Sequence, residues 1–239
     1  MRKSLWINKF GGPEKLHLQE SPVLQLGPDE IIVDVHYSGV NFADIIMRLG
    51  FYPDAPKKPF VPGYEISGVV SRVGNKVDQW SPGDEVYAGC FFGGYSNQVK
   101  IKSWQAVKVP KHLNLEQAAA LPVNFITAHV CLNEMARVKK GDLVLIDCVT
   151  GGVGSMVMQM TKHLGIRGVG LTSSSTKLAY ITENGFQGLT HEEFERSNDD
   201  LGDWIQIIER LDLKGMAANI ARNSVLVELS DVRLAISLD

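Results

Sequence analysis

The chain has 239 residues, 44% of them hydrophobic, and a formal net charge of −3. That balance describes a globular protein able to bury a good core in one or two domains, and it offers no basic surface for nucleic acid. No apolar run is long enough to span a bilayer, and the N-terminal MRKSLWINKFGG lacks the h-region of a signal peptide. The three cysteines, Cys90, Cys131 and Cys148, are scattered and form neither a disulfide framework nor a structural zinc site, so the expected compartment is cytoplasmic.

Residues 1–110 read as short strands cut by glycine and proline. Ile31–Tyr37, Ile66–Val73, Glu85–Ala88 and Tyr95–Ile101 are strand candidates, separated by Gly27-Pro28, Pro62-Gly63, Pro82-Gly83-Asp84 and Gly93-Gly94. Dense punctuation of this kind predicts a compact all-β domain, barrel-like or sandwiched. Asn41–Leu49 reads as a short helix whose polar Asn41 and Asp44 share its first turn.

From Asn114 the texture changes. Leu115–Leu121 and Asn124–Ala136 read as helices, and Leu143–Asp147 as a buried strand. Thr150-Gly151-Gly152-Val153-Gly154 then makes a tight turn into a helix with apolar positions at Met156, Val157, Met160 and Leu164. Strand, glycine turn and helix is the order in which a helix N-terminus receives a pyrophosphate, with Gly151 and Gly152 letting the backbone approach and Gly154 allowing close packing. The template G-x-G-x-x-G would begin at Val149, so its first glycine is missing and an ordinary βα turn stays open. Gly168–Leu171 reads as a second strand, Ser175–Asn184 as a second helix, and Gly188–Leu189 as the vestige of a third strand, an alternation that predicts a parallel sheet. The six histidines stand singly, without a partner at a spacing that suggests a triad or a metal.

Several segments, in order, resemble the medium-chain dehydrogenase/reductase superfamily, and within it the zinc-independent quinone oxidoreductase branch with its vesicle-amine-transport-like members. They are GVNFADIIMRLGFYP (Gly39–Pro53), PGYEISGVV (Pro62–Val70), GDEV (Gly83–Val86), LPVNFITAH (Leu121–His129), TGGVG (Thr150–Gly154), SSSTK (Ser173–Lys177) and ENG (Glu183–Gly185). The resemblance implies a GroES-like β domain over residues 1–120 and a Rossmann nucleotide-binding domain over 121–196. It also implies an oxidoreductase that passes a hydride from NADPH to a quinone or enone-like carbonyl compound in the cleft between the two domains.

Zinc-dependent relatives carry a thiolate and an imidazole where this chain has Asn41 and Tyr64. An amide and a phenol are poor zinc ligands and Glu65 alone cannot hold the ion, so no metal is expected. The polarising group must then be a hydrogen-bond donor or a cofactor hydroxyl. The resemblance places Asn41, Tyr52 and Tyr64 around the nicotinamide and substrate. The residues alone favour core aromatics for the two tyrosines and a helix N-cap for Asn41, and the motif context moves Asn41 and Tyr52 toward function. Asp44 reads as a first-turn acid, with a proton relay as the alternative. Thr127 matches a family position that contacts the cofactor. After the second strand, Gly170–Lys177 holds no acid to take the ribose hydroxyls of NAD, and the resemblance assigns Ser173 and Lys177 to a 2′-phosphate. The competing reading is a helix-capping serine beside a solvated lysine.

The resemblance runs to Glu195. A dinucleotide domain of this type needs about six parallel strands, and the chain to Arg196 supplies two or three. The half through which relatives dimerise is not found, which leaves a homodimer open. Ser197-Asn198-Asp199-Asp200 opens a linker over 197–202, and residues 203–239 form a tail of different pattern. There Trp204, Ile205, Ile208 and Leu211 are helically spaced, and Val225–Leu229 and Val232–Leu238 read as a hairpin. Asp203–Glu228 resembles part of the C-terminal region of the tau subunit of bacterial DNA polymerase III. The alternatives are a fusion of unrelated genes, a truncated and inactive interaction module, or a divergent C-terminus.

Overall fold

The computed structural model describes residues 1–197. The tail at 203–239, its hairpin and its polymerase resemblance lie outside the described residues, as does the linker apart from Ser197. The chain divides into two compact units, Met1–Val123 and a second from Asn124 onward.

The first unit is antiparallel. Strands β1 (Arg2–Ile7) and β2 (Leu16–Ser21) pair as a two-stranded ribbon. A five-stranded sheet has the order β6-β3-β4-β5-β7, with β3 (Glu30–Ser38), β4 (Glu65–Val73), β5 (Glu85–Gly89), β6 (Gln98–Lys102) and β7 (Ala106–Lys108). Ile31, Val33, Ile66, Val70, Val86, Ala88, Val99 and Ile101 from four of these strands form its core. Register shifts in β3 against β4, between Ile32 and Val33 and between Val35 and Tyr37, bend the pair as bulges do. Helix α1 (Phe42–Leu49) starts at Asn41 and stops at Gly50, whose φ of 90° suits the left-handed C-cap. Its Met47 packs with Ile7 and Phe60 in a second cluster that Tyr52, Tyr64 and Phe92 border. Helix α2 (Leu115–Ala119) begins with a capping box, Asn114 Oδ1 accepting the Gln117 N–H at 2.8 Å and Gln117 Oε1 the Asn114 N–H at 3.1 Å.

Helix α3 (Pro122–His129) carries the chain from one unit to the next. The second unit holds a parallel sheet in the order β10-β9-β8, with β8 (Leu143–Ile146), β9 (Arg167–Thr172) and β10 (Gln187–Thr190). Helices α4 (Gly152–Leu164) and α5 (Leu178–Glu183) connect them, and α6 (His191–Ser197) follows. Val149, Met158, Ile181 and Phe186 form the core here, and Val157 packs with Ala128 and Leu132.

Three expectations need correction. The helix read at Asn124–Ala136 is α3, begun two residues earlier at Pro122, followed by a π-helical turn over Val130–Met135. Strand β8 is not buried: Leu143 is 47% exposed, because among the described residues β8 has a single strand neighbour. In α4, Met156, Val157 and Met160 pack inward as read and Met158 and Thr161 join them, whereas Leu164 is exposed.

Candidate functional site

Parallel pairing brings the C-terminal ends of β8, β9 and β10 to one edge of their sheet, the edge where doubly wound sheets bind ligands. Two sequence-selected segments are found there. The glycine turn follows β8, and Gly151 is the N-cap of the thirteen-residue α4. A glycine cap brings no side chain of its own to the first-turn amides, the groups that receive an anion at a helix N-terminus. The turn does not depend on glycine for a left-handed residue: Gly151 has an ordinary φ of −74°, and the positive φ, 48°, belongs to Cys148. Space is what the glycines provide. A Cβ on Gly154 would lie 2.6 Å from the Cys148 carbonyl oxygen and from Val149 Cα. One on Gly152 would lie 2.5 Å from Asn124 Oδ1.

Ser173 directly follows Thr172, the last residue of β9, and is exposed, as is Lys177. The position capping the next turn is Ser174, whose hydroxyl lies 2.7 Å from that of Thr176. Ser173 is therefore not the capping serine. Thr127 is exposed on α3, one turn beyond Asn124. Two residues at this edge were not legible in the sequence. Asn124 covers Gly152, and His191, the first residue of α6, places Nε2 2.6 Å from Asp147 Oδ1, which also accepts the Cys148 N–H. The histidine read as solitary has a carboxylate partner 44 positions away.

In the first unit Asn41 stands at the N-cap of α1, gripped by two buried acids. Its main-chain N–H donates to Asp44 Oδ2 at 2.9 Å and its side-chain Nδ2 to Glu65 Oε1 at 2.8 Å. Asp44 also accepts the Gly63 N–H at 3.1 Å, and Glu65 the Val123 N–H at 2.8 Å. Burial pushes both carboxyls above the ordinary range, and these donors pull the other way. Asp44 has the place of a first-turn acid and is a buried acceptor. Tyr52 and Tyr64 meet edge to face with ring centroids 6.2 Å apart, and Tyr64 leans on Phe92 at 5.4 Å. Burial first, then Tyr52, raises the Tyr64 phenol, so it is a neutral O–H donor at physiological pH. Cys90 is buried and donates its main-chain N–H to the Tyr64 carbonyl oxygen, and its thiol is pushed up to about 12 by burial, then by the charges of Asp44 and Glu65. A cavity of about 440 Å³ in this unit is lined by Leu16, His36, Val40, Ile45, Arg48 and Tyr95; Asn41, Tyr52 and Tyr64 do not line it. Among the described residues no three His, Cys, Asp or Glu side chains converge as a metal site would need, and no helix is long and apolar enough to cross a membrane.

Residues 27–111 match the family profile described as the alcohol dehydrogenase GroES-like domain. The chain is 32% identical over 217 residues to the synaptic vesicle membrane protein VAT-1 homolog of Danio rerio, covering 90% of this chain and 43% of that protein. It is 30% identical over 196 residues to the quinone oxidoreductase of Sus scrofa, covering 81% and 58%. The fold superposes on the Escherichia coli quinone oxidoreductase solved with NADPH at a TM-score of 0.74 and 29% identity, over 87% of this chain and 63% of that one. The chain spans about half the length of the curated relatives it matches. A GroES-like β unit, a parallel βαβαβ unit with a glycine turn after its first strand, and these relatives agree: the chain carries an alcohol dehydrogenase GroES-like domain and is a homologue of the quinone oxidoreductases and VAT-1-like proteins, with its structural neighbours in the medium-chain dehydrogenase/reductase superfamily.

Proposed function

We propose that this chain binds NADPH and serves as a zinc-independent reductase for a quinone or an enone-like carbonyl compound. The observation that carries the reading is the edge of the parallel sheet, where the glycine-capped α4 N-terminus and the exposed pair Ser173 and Lys177 lie after consecutive strands. The amides at Gly152, Val153 and Gly154 suit a pyrophosphate, with Gly151 shaping the approach and Thr127 contributing a hydroxyl. Ser173 and Lys177, with no acid between Gly170 and Lys177, suit a 2′-phosphate rather than a free ribose hydroxyl. NADPH, when bound, supplies the hydride. Asn41, Tyr52 and Tyr64 are the donors assigned to the substrate carbonyl, where a neutral hydrogen bond takes the place a Lewis acid holds in zinc-dependent relatives.

NADPH oxidation followed with a panel of quinones and enones tests the reading. Turnover that is faster with NADPH than with NADH supports it. A folded sample that neither turns over nor binds NADPH removes it. A second reading, nucleotide binding without turnover, draws on β8 having one strand neighbour among the described residues, and saturable NADPH binding with no oxidation would select it.

A further inference from the structure

Glu65 is 1% exposed, and each of its carboxylate oxygens receives one neutral N–H. Oε1 takes the Asn41 side-chain amide and Oε2 takes Val123, both at 2.8 Å. Val123 is the second residue of α3, after Pro122, which has no N–H; its amide is thus the first that the helix leaves unpaired. The atom of Asn41 that faces Oε1 is the side-chain nitrogen, a donor to an oxygen that accepts. The Glu65 side chain lies tight against Gly39: a Cβ there would sit 2.1 Å from Oε1 and 2.6 Å from Cγ. The backbone N–H of Asn41 is tied separately, to Asp44.

We propose that Glu65 is the positioning residue for Asn41. By taking one of the two amide protons it fixes the plane of the carboxamide, and the other proton is what Asn41 offers to a ligand oxygen. The same carboxylate ties this donor to the first turn of α3. A glutamine would not serve, because its amide would set an N–H donor against one of the two N–H groups. The catalytic consequence rests on the reductase reading; the clamp itself does not.

A double-mutant cycle with a direct view of the amide tests this. Glu65→Gln, Asn41→Ala and the double variant are compared in kcat, in KM for NADPH, in thermal midpoint, and in the side-chain amide signals of a 15N spectrum. The Asn41 pair is identified by its loss in Asn41→Ala. Expected are a kcat loss of about tenfold or more in Glu65→Gln with KM for NADPH within about twofold, and a double variant no slower than Asn41→Ala alone. The Asn41 amide signal shifts in Glu65→Gln. Losses that multiply in the double variant, or an unshifted signal in folded Glu65→Gln, overturn the proposal. Should Glu65→Gln not fold, the wild type decides: an Asn41 amide that exchanges with water more slowly than those of exposed asparagines upholds the clamp, and one that exchanges as fast removes it. A wild type that does not oxidise NADPH sinks the reductase reading alone, and the amide signal still decides the clamp.

Discussion

Asn124 occupies the space that a side chain on Gly152 would need, its Oδ1 2.5 Å from the position of a Cβ there. Gly152→Ala therefore sets two effects against each other. Alanine favours the helix by about 1 kcal/mol, while Asn124 has to give way over the amides proposed for the pyrophosphate. Stability should stay within about 1 kcal/mol of wild type, and the NADPH dissociation constant should rise about tenfold by calorimetry. Asn124→Ala in the same chain should recover part of that loss; an undiminished loss would place the obstruction in the turn itself.

Lys177 and Ser173 are exposed beside the end of β9, so their substitution probes cofactor choice without disturbing the core. Lys177→Ala should weaken NADPH by about tenfold, the size of one charge-assisted bond to a phosphate, and leave NADH within about twofold. Ser173→Ala should act in the same direction and less. Equal losses for both cofactors would mean that neither side chain meets a 2′-phosphate.

Gly39→Ala drives a methyl group into the carboxyl stem of Glu65, a side chain with no solvent to retreat into. The expected cost is about 1–3 kcal/mol, read as a fall of several degrees in the thermal midpoint. In the NADPH oxidation assay that tests the proposed function, kcat should fall further than the loss of folded protein accounts for. A midpoint within a degree of wild type would contradict the close approach.

Asp44 gives a pH signature. Burial raises its folded pKa above the ordinary 3.8, so between those two values the folded chain binds more protons than the unfolded one. Stability from this group is then greatest at low pH and declines as pH rises through the window above 3.8. Asp44→Asn cannot titrate and lowers stability at every pH by losing an acceptor for the Asn41 and Gly63 amides. The midpoint of wild type minus that of Asp44→Asn should therefore grow as the pH is lowered from 7. A difference that shrinks on acidification would show a depressed carboxyl instead.

What could be read from sequence and what could not follow a physical division. The strands β3, β4 and β5 carry alternating or continuous apolar residues between glycine and proline stops, and their extents agree with the reading within a residue or two at each end. Strands β1, β2 and β7 went unread for the opposite reason. LHLQES is mostly polar and lies in an open ribbon, and β7 has three residues. Helix α3 starts two residues before the reading, at Pro122, a residue type favoured at the first helical position. Glu65 drew notice only as a failed zinc ligand, since its two hydrogen bonds come from residues 24 positions before it and 58 after it. A lone acid opening the apolar run Glu65–Val70 was the one local hint. His191 with Asp147 left no such hint, because only the parallel pairing of β8, β9 and β10 brings their following residues to one edge.

The left-handed Cys148 gives the chain a built-in reporter. Of the three thiols, Cys90 is buried with its pKa pushed up to about 12, and Cys131 is half-buried and raised by burial. Cys148 is exposed in the turn that leads to Gly151. A maleimide dye should label it ahead of the other two, and its emission would then follow occupancy of the neighbouring turn in a protein whose substrate need not be known.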